Sequence, residues 1–219
     1  MTGPGGSEGA RDAGGMTGQD GSGTPASAGG AGSLGRPGSV SSPRSASSSS
    51  AYHAMGREEL LRALEMFAKS WLAHDGCWFL AAEERLGMEA ALELDRRSWE
   101  RFAVTEAHRI LETFRMETNG GLPALEKALG LRMYALINEQ RVEWSEDRSR
   151  LRFVMEKCRV QEARRRKGLP DFPCKSVGIV EFSAFARTID SRIRTECLGC
   201  PPEAAPGAYC SWEFTIGAP

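Results

Sequence analysis

The sequence has no run approaching the ~20 consecutive apolar residues of a membrane-spanning helix. It also has no charge excess: 28 Lys and Arg stand against 29 Asp and Glu, a net charge of -1. The first absence predicts a soluble protein, and the second leaves no global electrostatic footprint for nucleic acid. The first fifty residues lack hydrophobic side chains almost entirely. "MTGPGGSEGARDAGGMTGQDGSGTPASAGGAGSLGRPGSVSSPRSASSSS" contains one Leu and one Val, too little apolar surface to offset the entropy of ordering it. Residues 1–54 are therefore expected to form a disordered tail. The same stretch has no apolar core of signal-peptide length and carries acidic residues, so neither secretion nor organelle import is expected. A translation start at Met55, just before "GREELLRALEMF", is the alternative account of the tail. Without a secretory signal, six cysteines point to a reducing compartment, where thiols serve metals or catalysis more often than disulfides. The expected location is the cytoplasm.

Residues 55–219 are the size of one domain. Leu60, Leu64, Phe67 and Trp71 recur at helical steps, predicting a helix from Arg57 to about Leu72, with a break at Gly76 and helical spacing again through Gly87. Leu92, Trp99, Ala103, Ile110 and Phe114 share one side of a long helix over 88–118, closed by "NGG". Pro123 suits the first turn of another helix, whose apolar side is Leu125, Leu129, Met133 and Leu136. After Asn138 the period falls to about two: Val142 and Trp144, then Leu151, Phe153 and Met155, flank the polar turn "SEDR", which predicts an antiparallel hairpin. A loop with a basic run follows, then a short helix with Val177, Val180, Ala184 and Phe185 inward, then strands at 191–199 and 208–217. Helices first and strands afterwards predict an α+β domain in which an N-terminal helical layer packs on a small four-stranded antiparallel sheet.

On that layout Cys158 ends the second strand and Cys174 opens the late helix. Cys197 and Cys200 form a CxxC at the end of the third strand, and Cys210 lies early in the last. If the strands are neighbours, these five thiols converge at one end of the sheet. A CxxC can turn both sulfurs toward one ion, and a structural zinc site needs four such ligands. Zinc is the expected cofactor, with an iron–sulfur cluster as the alternative, since four thiolates suit both. The competing reading is that each cysteine fills the core as a small hydrophobe, which is also the expectation for Cys77. A second CxxC at finger-like spacing, which would make the signal strong, is missing.

Other candidates are single or paired residues. Arg164, Arg165, Arg166 and Lys167 are either a solvated loop or cations that favour a thiolate or hold an anion; Gln161 and Arg164, near Cys158, are the candidate ligand-binding pair. His74 and Asp75 are either a helix cap or an acid/base pair. Glu106 falls inside the apolar stripe of the long helix, so its carboxylate must be paired, hydrogen-bonded or protonated. His108 and Arg109 project elsewhere, and any partner of Glu106 must come from another element.

The stretches "WLAHDGCWF", "GMEAALELD", "CRVQEARRRKGLPDFPCKSVGIVEFSAFARTIDSRIRTECLGCPP" and "YCSWEF" resemble a bacterial family of uncharacterised cytosolic proteins related to the L-2-amino-thiazoline-4-carboxylic acid hydrolase group. The resemblance covers residues 57–216. A looser likeness of the terminal "YCSWEF" is to vinyl-reductase-type small-ligand domains. The family resemblance implies that Cys158, Gln161, Arg164, Cys174, Glu181, Cys197, Cys200 and Cys210 form one site. Three functions follow as expectations. The first is a cysteine-rich metal-binding or small-ligand-binding protein. The second is a hydrolase of a small cyclic amidine-like acid, using a thiolate or a metal-bound water, with Glu106, His74 and Asp75 as catalytic candidates and Gln161, Arg164 and Glu181 for substrate. The third is a sensor that binds without turnover. The expected partner is a small molecule, neither nucleic acid nor a membrane is expected, and a homo-oligomer stays open.

Overall fold

The computed structural model describes residues 50–204 and 207–216, all within the unit Ala46–Pro219. The expected tail, 1–54, lies outside the described residues except for its last few positions. There α1, Ser50–His53, makes a single helical turn.

Two long helices come next. α2 spans Arg57–Leu86 and α3 spans Met88–Thr113. The expected break at Gly76 does not occur. A glycine costs a helix interior only about 1 kcal/mol, and in a 30-residue helix that cost does not interrupt it. Nothing lies within 4 Å of where a Cβ on Gly76 would sit. Between them Gly87, at φ +83°, turns the chain. α3 stops at Thr113, short of the expected 118, because Arg115 adopts φ +49°. α4, Gly121–Leu131, begins before Pro123 and has no local side-chain cap. Its first N–H, on Gly121, is accepted by the Asp190 carboxylate 69 residues away at 3.0 Å. Met133–Leu136 then form a 3₁₀ turn.

The strands are β1, Glu139–Trp144; β2, Arg150–Lys157; β3, Ile193–Gly199; and β4, Cys210–Ile216. They form one antiparallel sheet in the order β1-β2-β4-β3. The period of two decides its faces. Leu151 opposes Phe214 and Phe153 opposes Trp212 on the buried side, while Arg152 opposes Glu213 on the other. α6, Lys175–Ile189, packs between α3 and the sheet. The main core joins Ala103, Ala107 and Ile110 of α3, Leu125 and Leu129 of α4, Phe182 and Phe185 of α6, and the inner face of the sheet. This is the expected α+β arrangement.

Two local expectations are corrected. The basic run is not a loop but part of α5, Arg159–Arg166. Gln161 and Arg164, about one helical turn apart, are buried, while Arg165, Arg166 and Lys167 are exposed. Tertiary anchoring here overrides a local composition that reads as solvated. Along α2, Ala68 and Leu72 are buried, but Leu60, Leu64 and Phe67 remain exposed among the described residues.

Candidate functional site

A cavity of about 390 Å³ lies between α2 and α3 on one side and α5, α6 and the sheet on the other. Its wall is largely aromatic and aliphatic: Leu72, Phe79 and Leu80 from α2, Trp99 from α3, Phe172 from the α5–α6 loop, Val177 and Phe182 from α6, and Phe153, Met155 and Trp212 from the sheet. Trp71, Trp99, Phe102 and Tyr134 form a cluster of stacked and edge-on rings, of which Trp99 and Tyr134, face to face at 5.7 Å, line the cavity. That volume falls within the range of small-molecule sites, which are mostly apolar with a few placed polar groups.

The polar groups are few and are not arranged at random. Arg132, 4% exposed, reaches the cavity from the junction of α4 and the 3₁₀ turn. Its Nε donates to Glu106 Oε2 at 2.8 Å, and its Nη2 lies 2.7 Å from Glu181 Oε1 as an ion pair, off the line of a good hydrogen bond. The guanidinium also lies over Phe185 at 4.7 Å and near the rings of Tyr134 and Phe182. Burial opposes its charge, but Glu106 and Glu181 outweigh that and raise its pKa further. Glu181 is pushed above the usual carboxylate range by burial, against the pull of Arg132. Asp95 is pushed up to about 7, first by burial and then by the charges of Asp75 and Glu181. Asp75 is raised by burial. Tyr134 is held protonated, well above its ordinary value, by burial and by Glu181. The cavity therefore offers the buried Arg132 guanidinium, carboxyls raised above their ordinary range and a phenol donor.

The sequence candidates fall into three groups. Asp75 and Glu181 line the cavity, whereas His74, its neighbour on α2, is exposed. Glu106 is buried and paired, as its place in the stripe requires, and its partner Arg132 belongs to another element. Gln161 and Arg164 also reach the cavity wall, but their polar atoms are engaged within the protein. Gln161, 1% exposed, donates to Phe172 O at 2.8 Å and accepts from Phe172 N at 2.9 Å. Arg164 donates to both oxygens of Glu83, at 2.6 and 2.9 Å, and to Pro170 O at 2.7 Å. These two side chains hold the loop 167–173 against α2 and α5.

Of the five later cysteines, Cys200 belongs to the main core, and Cys158, Cys174, Cys197 and Cys210 pack against it. Cys158 and Cys174 precede α5 and α6, and with Cys210 they line the cavity. Cys200 is buried, with its Sγ 3.2 Å from that of Cys197. Its thiol is raised by contact with the sulfurs of Cys174 and Cys210, while Cys210 is lowered because Cys200 hydrogen-bonds to it. Trp212 Nε1 donates to Cys210 Sγ at 3.4 Å. Burial pushes Cys158 up to about 12 against the amides of Gln161 and Val160. As they stand, no three His, Cys, Asp or Glu side chains among the described residues surround a common point as metal ligands do. Cys77, expected in the core, is exposed at the cavity mouth.

Sequence reasoning missed Arg132 and Asp95, although signals for both exist. Arg132 is the one charge between Lys127 and Glu139, in an otherwise apolar stretch. Asp95 stands three residues after Leu92 and four before Trp99, inside the same stripe that marked Glu106.

No curated protein matches the chain in sequence. In fold it is similar to the phenol-responsive sensory domain of the transcription activator PoxR, solved with phenol, at 17% identity over 66% of this chain and 73% of that one, with a TM-score of 0.44. It is also similar to a trafficking protein particle complex subunit 3 from Naegleria fowleri, covalently bound to palmitic acid, at 8% identity over 74% of this chain and 98% of that one, with a TM-score of 0.42. The expected relation to the aminothiazoline hydrolase group finds no support in these matches. No helix among the described residues is long and apolar enough to cross a membrane. Residues 53–216 match the family of unknown function DUF6125, and the chain belongs to that family.

Proposed function

We propose that this protein binds a small organic molecule with an apolar, largely flat body and one polar group, in the cavity between α2, α3 and the sheet. The observation that carries the reading is the aromatic-walled cavity of about 390 Å³ into which Arg132, Asp95 and Tyr134 face. Apolar walls supply affinity through surface removed from water. The few buried polar groups supply orientation, because a ligand that leaves them unpaired is penalised. Arg132 is held rigid by two carboxylates and aromatic rings, so its position does not have to be organised when a ligand enters. A binder of this kind needs no turnover, and Glu106 acts by fixing Arg132 rather than by attacking a substrate.

The test uses 1-anilinonaphthalene-8-sulfonate, with Trp99 and Trp212 of the cavity wall as energy donors. One saturable site per chain is expected, and Leu80→Trp, which fills the cavity from α2, should weaken it at least about tenfold while leaving the far-UV circular dichroism unchanged. Binding that is unsaturable, or indifferent to Leu80→Trp, overturns the reading.

A further inference from the structure

We propose that Cys197 and Cys200 form a reversible thiol–disulfide site, oxidised to an internal bridge by a low-molecular-weight disulfide. Regular alternation along a strand would send the two side chains to opposite faces of the sheet, since they stand three residues apart. The register breaks between them. Cys197 pairs with Trp212 and Gly199 with the adjacent Ser211, so Leu198 is an extra residue in β3. Such a bulge bends the strand and re-aims the side chains beside it, and β3 then ends at Gly199. As a result Cys200 Sγ lies 3.2 Å from Cys197 Sγ. A disulfide bond is about 2.05 Å long, so the two sulfurs need approach by only about 1.2 Å to be joined.

The two thiols differ in access. Cys200 is buried, at 3% exposure. Cys197 is partly exposed and opens onto a shallow surface groove, whose other sides include Leu92, Pro173, Lys175 and Ile179. Thiol–disulfide exchange requires the attacking sulfur to reach the incoming S–S bond. Cys197 is therefore the attacking group, and Cys200, held behind it, is the resolving one.

The exchange balances without any further reactant. Cys197, as its thiolate, attacks one sulfur of the small disulfide RSSR: a bond from Cys197 Sγ to SR forms, the RS–SR bond breaks, and one RS⁻ leaves to take up a proton equal to the one Cys197 gave up. Cys200 then attacks Cys197 Sγ, and the second RS⁻ departs with the proton that Cys200 releases. The pair loses two electrons and RSSR gains them, and an excess of RSH reverses both steps. In a reducing compartment a bridge of this kind is transient and serves catalysis or redox sensing.

The test equilibrates the full chain, reduced and stripped with chelator under argon, with mixtures of reduced and oxidised glutathione. The samples are quenched with acid, alkylated after denaturation and mapped by tandem mass spectrometry. Expected is a species lighter by two hydrogens, bridged from Cys197 to Cys200, whose fraction follows the glutathione ratio and returns to zero with dithiothreitol. Cys200→Ser should accumulate a mixed disulfide of Cys197 with glutathione, and Cys197→Ser should slow the modification of Cys200 at least about tenfold, because a buried thiol is inert. Cys77→Ala should leave the bridge unchanged. A Cys197 thiol that stays free under a large excess of oxidised glutathione overturns the proposal, and so does a bridge from Cys200 to Cys174 or Cys210. The wild-type map decides the matter even if a variant at Cys200 fails to fold. No cavity ligand enters the assay, so failure of the organic-ligand reading leaves this result intact.

Discussion

Burial, with the charges of Asp75 and Glu181, pushes the Asp95 carboxyl up to about 7, from an ordinary 3.8. A carboxyl whose folded pKa is raised holds its proton more tightly in the native state than in the unfolded chain. Its favourable contribution is complete below about pH 4 and is lost as pH rises through about 7. Asp95→Asn keeps the shape and removes the titration. The variant should therefore match the wild type near pH 3.5, gain on it steadily from about pH 4 to 7, and stay more stable by a constant margin above that, as read by urea midpoints across pH. Equal pH profiles would refute the burial of a charge at this position. At this scale Glu106 was legible from the sequence, because a carboxylate inside an apolar helix stripe demands a partner. The geometry of Gln161 and Arg164 was not. Their types suit a ligand, but whether their donors meet a ligand, Phe172 or Glu83 depends on where a loop from outside their own helix comes to rest.

Among the elements, α6 approaches the sheet closely at Gly178. A Cβ there would lie 2.6 Å from Trp212 Cζ2, inside any real contact distance. Trp212 is 1% exposed and cannot retreat without disturbing Phe153 and Phe182 around it. Gly178→Ala should therefore destabilise the protein by about 1–3 kcal/mol, the usual cost of overpacking a core, although alanine is the better helix former. A stability equal to or above the wild type in chemical denaturation would contradict the close approach. The helices themselves were largely visible in the apolar spacing. Their ends were not, because α4 takes its cap from Asp190 at the far end of α6, and α2 runs through Gly76 where local propensity suggests a stop.

For the whole molecule, Arg132 is the point where α3, α6 and the chain between α4 and β1 are joined, through Glu106 and Glu181. Arg132→Met leaves two buried carboxylates without their cation and should cost about 3–5 kcal/mol, as breaking buried ion pairs does. Replacing all three with apolar residues of similar size (Arg132→Met, Glu106→Leu, Glu181→Leu) should recover most of that loss in urea unfolding. No recovery would mean that the cluster stabilises by packing rather than by pairing. The α+β class and the hairpin followed from the sequence alone, because hydrophobic period and chain order are local properties that each segment carries with it. The cavity and the aromatic cage around Arg132 were decided only in the tertiary structure. Each is made of side chains dozens of residues apart, and their meeting depends on the strand order β1-β2-β4-β3 and on how α2 and α3 are layered over α6, which no single segment encodes.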